Sequence, residues 1–290
     1  KYFRFNWKVC LIMIKINSIL EVINKYENFI IDQWGVMHDG THGYKHAIKS
    51  IDFLKKKNKN LFIVSNSSKR KITSEAKLPK LGFKKNDFLD VFTSGEMIWK
   101  TIYNKYSKLK IKKKCFHIYD DSKEDGILFR ENLNLEYVNK IEDADFILAC
   151  TPFPEMQPID YIPMLDKAHE MKLKMYCANP DFETIEINNS KNIFCMGAIA
   201  EIYKKMGGDV IIQGKPEIDI YSEIIKSFKI NKSETLAIGD SIFHDIKGAN
   251  NFSIDSILVI SGIHKKIDAI NKLSKNHNIY PTYCIDKFSI

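Results

Sequence analysis

Short runs of consecutive apolar residues, set between segments of helical period, limit the fold open to this chain more than any other feature. Phe29-Ile30-Ile31, Leu61 to Val64, Asp209 to Ile212, Thr235 to Ile238 and Ser256 to Ile260 show no alternation of apolar and polar positions. A strand with that pattern is buried on both faces, as parallel strands are when helices cover both sides of their sheet. Between the first two runs, Tyr44 to Lys57 places Ala47, Ile48, Ile51 and Leu54 on one helical face. Strand, helix and strand at this spacing make a right-handed crossover that leaves both strand ends on the same edge. Further helices are expected over Ser18 to Tyr26, over Lys69 to Leu81 with Gly82 as the stop, from Gly95 through Tyr106, over Pro216 to Phe228 and near Asp245 to Asn251. The expected fold class is α/β with a parallel sheet.

Four polar sites follow apolar runs: Asp32, Ser65 with Asn66, Lys215, and Asp240. The carboxyl ends of parallel strands line one crevice, so two carboxylates, a hydroxyl and an ammonium from distant parts of the chain would meet there. That set suits a phosphate and a divalent cation, although each member alone has a plainer reading. Asp32 can attack phosphorus or cap a turn, and Gly35 after it has no side chain to keep backbone amides from closing on a ligand. Ser65 and Asn66 can hold phosphate oxygens or cap the next helix. Lys215, before Pro216, can neutralise a phosphate or be one more solvated lysine. Asp240 and Asp245 lie across a turn and would, with Asp32, crowd three negative charges into one volume. Mg²⁺ relieves such crowding, taking a few carboxylates, waters and substrate phosphate; otherwise the pair is a helix N-cap and an exposed neighbour.

The 290-residue chain is 44% apolar, enough for a sizeable core. Its formal charge of +8 rests almost wholly on dispersed lysines, with arginine only at Arg4, Arg70 and Arg130. No basic and aromatic stripe is present, so no nucleic-acid partner is expected, and the charge suits small anionic metabolites. Cys10, Cys115, Cys150, Cys177, Cys195 and Cys284 have no paired spacing and fit the reduced thiols of a cytoplasmic protein. The apolar stretch Val9 to Ile16 is too short to span a bilayer, so no membrane partner is expected, while Lys1 in place of Met leaves a trimmed leader open.

From about Lys112 a fresh set of elements begins. Strands are expected over Cys115 to Tyr119, Phe146 to Cys150 and Met175 to Ala178, a helix over Ile159 to Lys172, and a proline-bearing loop over Thr151 to Pro158. Residues 98–208 are therefore expected to form an inserted domain, with 1–97 and 209–290 as the main one. After Gly207-Gly208, Asp209 to Ile212 should return the chain to the first sheet.

In the order Asp32, Ser65-Asn66, insert, Gly214-Lys215-Pro216, and Gly239-Asp240 with Asp245, the chain resembles the haloacid dehalogenase superfamily from about Asn28 to Ile263. Asp32 to Gly40, Thr93-Ser94-Gly95, Ala178-Asn179-Pro180-Asp181 and Gly197 through Tyr203 resemble its class IIA, 4-nitrophenylphosphatase-like branch. The resemblance implies a Rossmann-like three-layer αβα core, an α/β class II cap as the insert, Mg²⁺, and hydrolysis of a small phosphorylated metabolite. It makes Asp32 the nucleophile, assigns the phosphoryl group to Ser65 and Lys215, and assigns the metal to Asp32, Asp240, Asp245 and the backbone carbonyl of Trp34.

Trp34 departs from the family pattern, which has an Asp general acid and base two positions after the nucleophile. That assistance is worth about 10² to 10⁴ in rate, or about 3 to 5 kcal/mol of barrier. His38 or Asp39 could supply the proton, or the two shape the turn before Gly40. A subgroup of class IIA is similar to this chain in its Asp-x-Trp form. Two functions follow: a slow Mg²⁺-dependent phosphatase acting through an aspartyl-phosphate, and a phosphoryl-ligand sensor with negligible turnover. Asn179 and Asp181 in the insert are candidates for leaving-group contact. Trp99, Tyr103 and Tyr106, at helical spacing, suit packing or the seam of a homodimer.

Overall fold

The computed structural model describes residues 13–122, 124–185, 192–260 and 267–290. Its strands are β1 (Ile14–Lys15), β2 (Asn28–Asp32), β3 (Asn60–Ser65), β4 (Asp90–Thr93), β5 (Lys114–Ile118), β6 (Glu136–Val138), β7 (Phe146–Ala149), β8 (Lys174–Cys177), β9 (Glu183–Ile185), β10 (Asn192–Phe194), β11 (Asp209–Ile212), β12 (Thr235–Gly239), β13 (Asp255–Val259) and β14 (Tyr283–Ile285). Seven make a parallel sheet in the order β1-β14-β13-β12-β2-β3-β4. Five make a second parallel sheet, β11-β8-β7-β5-β6, and β9 and β10 form an antiparallel ribbon.

The two faces of the first sheet explain its three layers. Phe29, Ile31, Leu61 and Ile63 share a core with Ala47, Ile51 and Leu54 of the helix Lys45–Lys56. Ile30, Phe62 and Val64 pack instead with Ile220, Tyr221 and Ile224 of Ile218–Phe228 and with Ala249 and Phe252 of Lys247–Phe252. At about 1.5 to 3 kcal/mol per buried aliphatic side chain, β2, buried at every position, is anchored from both sides. This is the parallel α/β arrangement that the unbroken apolar runs call for, and it matches the Rossmann-like core that the family resemblance implies.

The second sheet is covered in the same way. Leu165, Ala168, Ile199, Ala200 and Tyr203 from two helices cover one face, and Ile98, Ile102 and Phe129 the other. The helix Ser94–Ile102 joins the two bodies, with Met97 in the first core and Ile98 and Ile102 in the second. Trp99 stacks on Tyr103 at 4.9 Å and Tyr106 on Phe146 at 5.3 Å, so these rings pack within the chain.

Two expectations are corrected. Asp209–Ile212 pairs with Lys174–Cys177 in the second sheet, so the chain returns to the first only beyond it. An apolar run specifies a buried strand but not which sheet receives it. Ser18 to Tyr26 forms two 3₁₀ turns, Ile19–Glu21 and Ile23–Lys25, in place of a helix. Ser18 and Glu21 close a reciprocal cap on the first turn, and Ile19, Ile23 and Tyr26 are still buried. Five cysteines are buried and free, whereas Val9 to Ile12, with Cys10 among them, and Ile263 lie outside the described residues. Among the described residues no helix is long and apolar enough to cross a membrane.

His117 on β5 gives this architecture a measurable pH response. Its Nδ1 accepts from Arg130 Nε at 3.1 Å, and its Nε2 lies 3.3 Å from Cys150 Sγ. Burial keeps the ring neutral and pulls its pKa down to about 3. The unfolded chain takes up that proton near pH 6.5, so stability is full above that pH and falls as pH drops towards 3. The slope for one proton is about 1.4 kcal/mol per pH unit. His117→Gln should flatten the urea-derived stability curve by that slope between pH 6 and 4. An unchanged slope would mean that the ring is not held neutral in the fold.

Candidate active site

Parallel polarity brings several strand ends to one edge of the first sheet. Asp32 ends β2 beside Val64, Ser65 ends β3 beside Thr93, and β12, on the other side of β2, runs into Asp240. Lys215 arrives from the connection after β11, not from a strand end of this sheet. Its Nζ donates to Asp32 Oδ1 at 2.5 Å and to Asp245 Oδ1 at 2.6 Å, and all three residues are buried. Carboxylate oxygens of Asp32, Asp240 and Asp245 lie within 4.8 Å of one another.

Gly35 makes room for this cluster. Its φ is +77°, and a Cβ there would sit 2.0 Å from Asp240 Oδ2, so any side chain would displace that carboxylate. Its N–H donates to His38 O at 2.9 Å, so the amide expected to close on a ligand is engaged in the turn.

Among the described residues, the Lys215 ammonium pairs with two carboxylates of this cluster, those of Asp32 and Asp245. Burial pushes the Asp32 carboxyl up, to about 7, against the opposing pull of Lys215, and Asp245 and Asp181 add to the rise. Burial acts to lower the Lys215 pKa, but Asp245 and Asp32 overcome it and hold the ammonium well above the usual lysine range. Three buried carboxylates whose oxygens lie this close fit a divalent cation such as Mg²⁺, which takes hard oxygen ligands and would favour the ionised form of Asp32.

The structure places Asn66 differently from a phosphate ligand. Its Oδ1 accepts from Lys215 N–H at 2.7 Å, while its Nδ2 donates to Lys215 O at 2.9 Å and to Asp181 Oδ1 at 2.7 Å. Both amide hydrogens are engaged, so the side chain grips the Lys215 backbone and has none for a phosphate oxygen. Ser65 Oγ accepts from Ser67 N–H at 3.3 Å, which still lets its hydroxyl donate to an anion. Asn179 Oδ1 accepts from Asp181 N–H at 3.1 Å, and Asp181 Oδ1 lies 3.3 Å from His244 Nδ1. The contacts of Asp181 with Asn66 and His244 draw the loop after β8, which carries Asn179 and Asp181, against the first sheet's crevice.

Trp34 is 41% exposed and meets His38 edge-on at 5.9 Å. His38 Nδ1 accepts from Gly40 N–H at 2.9 Å, and burial lowers its pKa to about 4. Asp39 Oδ1 accepts from the N–H of His42 and Thr41 and from the Thr41 hydroxyl, which hold its carboxyl at about 2. These are the contacts of residues shaping the turn before Gly40.

Ser241, His244 and Tyr221 also build the site and escaped the sequence reading. Ser241 N–H donates to Asp245 Oδ2 at 3.0 Å and its Oγ accepts from His244 N–H at 3.3 Å, which fixes the turn between the two aspartates. That N-cap was readable from a serine before a helical segment. The Tyr221 hydroxyl, 3.4 Å from Asp245 O, joins the site through a tertiary contact with no local signal.

Comparison with known proteins bears on the family and the fold. Residues 29–127 match a family described as haloacid dehalogenase-like hydrolase, and residues 212–289 match one described as HAD-hydrolase-like. The 5'-nucleotidase YutF of Bacillus subtilis is 23% identical over 268 residues, covering 91% of this chain and 96% of that protein. A haloacid dehalogenase-like hydrolase from Brucella suis superposes with a TM-score of 0.80 at 24% identity, covering 94% of this chain and 99% of its own. A possible sugar phosphatase of the HAD superfamily from Cytophaga hutchinsonii gives 0.79 at 19% identity, with 96% and 99% covered. A p-nitrophenyl phosphatase from Archaeoglobus fulgidus gives 0.71 at 19%, with 91% and 97% covered. These likenesses show the fold of a core with a cap, and the two matched spans contain Asp32, Ser65, Lys215, Asp240 and Asp245, so the chain belongs to the haloacid dehalogenase-like hydrolases.

Proposed function

We propose that this hydrolase is a Mg²⁺-dependent phosphatase of a small phosphorylated metabolite, working through an aspartyl-phosphate on Asp32. The meeting of Asp32, Asp240 and Asp245 within 4.8 Å, around the Lys215 ammonium, carries the proposal. Relatives named as a 5'-nucleotidase, a possible sugar phosphatase and a p-nitrophenyl phosphatase support the same reaction class. A carboxylate oxygen of Asp32 attacks phosphorus, the bond from phosphorus to the substrate oxygen breaks, the leaving oxygen departs with the bonding pair and takes a proton from solvent, and Lys215 and Ser65 offset the charge on the phosphoryl oxygens. Water then cleaves the acyl phosphate, which releases inorganic phosphate and a proton to solvent and returns Asp32 as a carboxylate. Asp32, Asp240, Asp245 and the Trp34 carbonyl would hold Mg²⁺, which supplies electrostatic stabilisation of the phosphoryl group when bound. Residues 98–208, with β11 added at the edge of their sheet, form the cap that reads the leaving group.

The indole N–H of Trp34 is too weak an acid to protonate a leaving group. Turnover should therefore favour p-nitrophenyl phosphate over a simple alkyl phosphate by about 10² or more. EDTA should abolish hydrolysis and added Mg²⁺ restore it; turnover that survives chelation would remove the metal from the proposal. Trp34 also favours a second reading, a sensor that binds phosphoryl ligands without cleaving them. Thermal stabilisation by a nucleotide or sugar phosphate, with no phosphate released from any of them, would decide for the sensor.

A further inference from the structure

The loop after β8 leaves the second sheet and reaches the residues that hold Lys215. Asp181 Oδ1 accepts from Asn66 Nδ2 at 2.7 Å, and Asn66 brackets Lys215 by accepting from its N–H and donating to its carbonyl oxygen. Only the amide oxygen can accept from an N–H, so the orientation of Asn66 follows from its partners. A Cβ on Gly214 would sit 2.7 Å from Asn66 Oδ1 and 2.9 Å from Pro180 Cγ, which shows how closely the loop, Asn66 and the Lys215 segment approach. The same Asp181 oxygen lies 3.3 Å from His244 Nδ1, on the turn between Asp240 and Asp245. One cap carboxylate oxygen thus bridges two core segments.

We infer that Asp181 is a positioning residue for the hydrolysis, an inference that rests on the phosphatase reading of the same site. With the cap on the core, Asp181 orients the Asn66 amide, Asn66 fixes the Lys215 main chain, and Lys215 Nζ spans Asp32 and Asp245. A cap that lifts takes Asp181 with it and loosens the lysine, so the site is complete only beneath the closed cap. Asn66 is 4% exposed, and water does not readily replace the charge-assisted bond it would lose. A leaving-group contact would act on KM for particular substrates, whereas a positioning residue lowers kcat for all of them.

The test compares Asp181→Ala, Asn66→Ala and the double variant on p-nitrophenyl phosphate and on one nucleoside monophosphate. Exchange of the Lys215 amide is followed by NMR in the substrate-free protein. Asp181→Ala should lower kcat roughly tenfold on both substrates with KM within about threefold of native. The double variant should be no slower than Asn66→Ala, and Asp181→Asn, which keeps an acceptor oxygen, should regain most of the loss. Exchange at Lys215 should speed up roughly tenfold in Asp181→Ala. Additive losses, an effect confined to KM for one substrate, or unchanged exchange at Lys215 would overturn the inference. If the native protein cleaves no phosphate ester, the phosphatase reading fails while the exchange result still decides whether the cap positions the lysine.

Discussion

Asp32→Asn should lower kcat on p-nitrophenyl phosphate at saturating Mg²⁺ by at least about 10⁴-fold, because the nucleophile of a covalent mechanism has no substitute. The replacement preserves volume and leaves an oxygen for Lys215 Nζ to donate to. It also removes one negative charge from a buried cluster in which burial has already pushed the Asp32 carboxyl up to about 7. A carboxyl whose pKa is raised on folding stabilises the fold at low pH and loses that contribution as pH rises through about 7, so at pH 8 the ionised native residue strains the metal-free protein. The variant should therefore be the more stable of the two in EDTA at pH 8, by about 1 to 4 kcal/mol. Activity and stability moving in opposite directions would mark a site where charge is held for chemistry against the preference of the fold. A variant that keeps more than about a hundredth of the native kcat, measured beside the native protein, excludes Asp32 as the nucleophile.

How much of this was legible depended on whether a local pattern had one structural answer. β2, β3, β12 and β13 are apolar on both faces, and parallel polarity alone then brings Asp32, Ser65 and Asp240 to one edge. Asp209–Ile212 carries the same pattern but lies in the second sheet, because apolar periodicity records burial and not the partner strand. Lys215 reaches the crevice nonetheless, since the connection back to the core must pass the edge where the first sheet's strands end. Asn66 was ambiguous for a different reason. An amide serves a phosphate or a backbone equally well, and only its contact with Lys215, 149 residues away, distinguishes the two. The short strands Glu136–Val138 and Tyr283–Ile285 offer too few residues to show a period at all.

Lys215→Met should separate two effects that the ammonium combines. Methionine approximates the length of the lysine stem but leaves Asp32 and Asp245 facing each other without the cation that now bridges them at 2.5 and 2.6 Å. Removing one partner from a buried ionic cluster costs about 3 to 5 kcal/mol, which in a domain of this size lowers the melting temperature by on the order of 10 °C. That loss should appear in EDTA and shrink in Mg²⁺, because a site with three carboxylates and no competing ammonium attracts the cation more strongly. Calorimetric titration should show Mg²⁺ binding about tenfold tighter or better than in the native protein, a change of about 1.4 kcal/mol. Turnover should move the other way and fall by about 10² to 10³, since the charge on the transferring phosphoryl group loses its fixed counter-ion while Asp32 keeps its place. Unchanged melting of the metal-free variant would mean that the ammonium does not neutralise the aspartates in solution, and a native kcat would deny it a share in stabilising the transition state. Tighter metal binding with poorer turnover would show that Lys215 is kept for the phosphoryl group, at some expense to affinity for the ion.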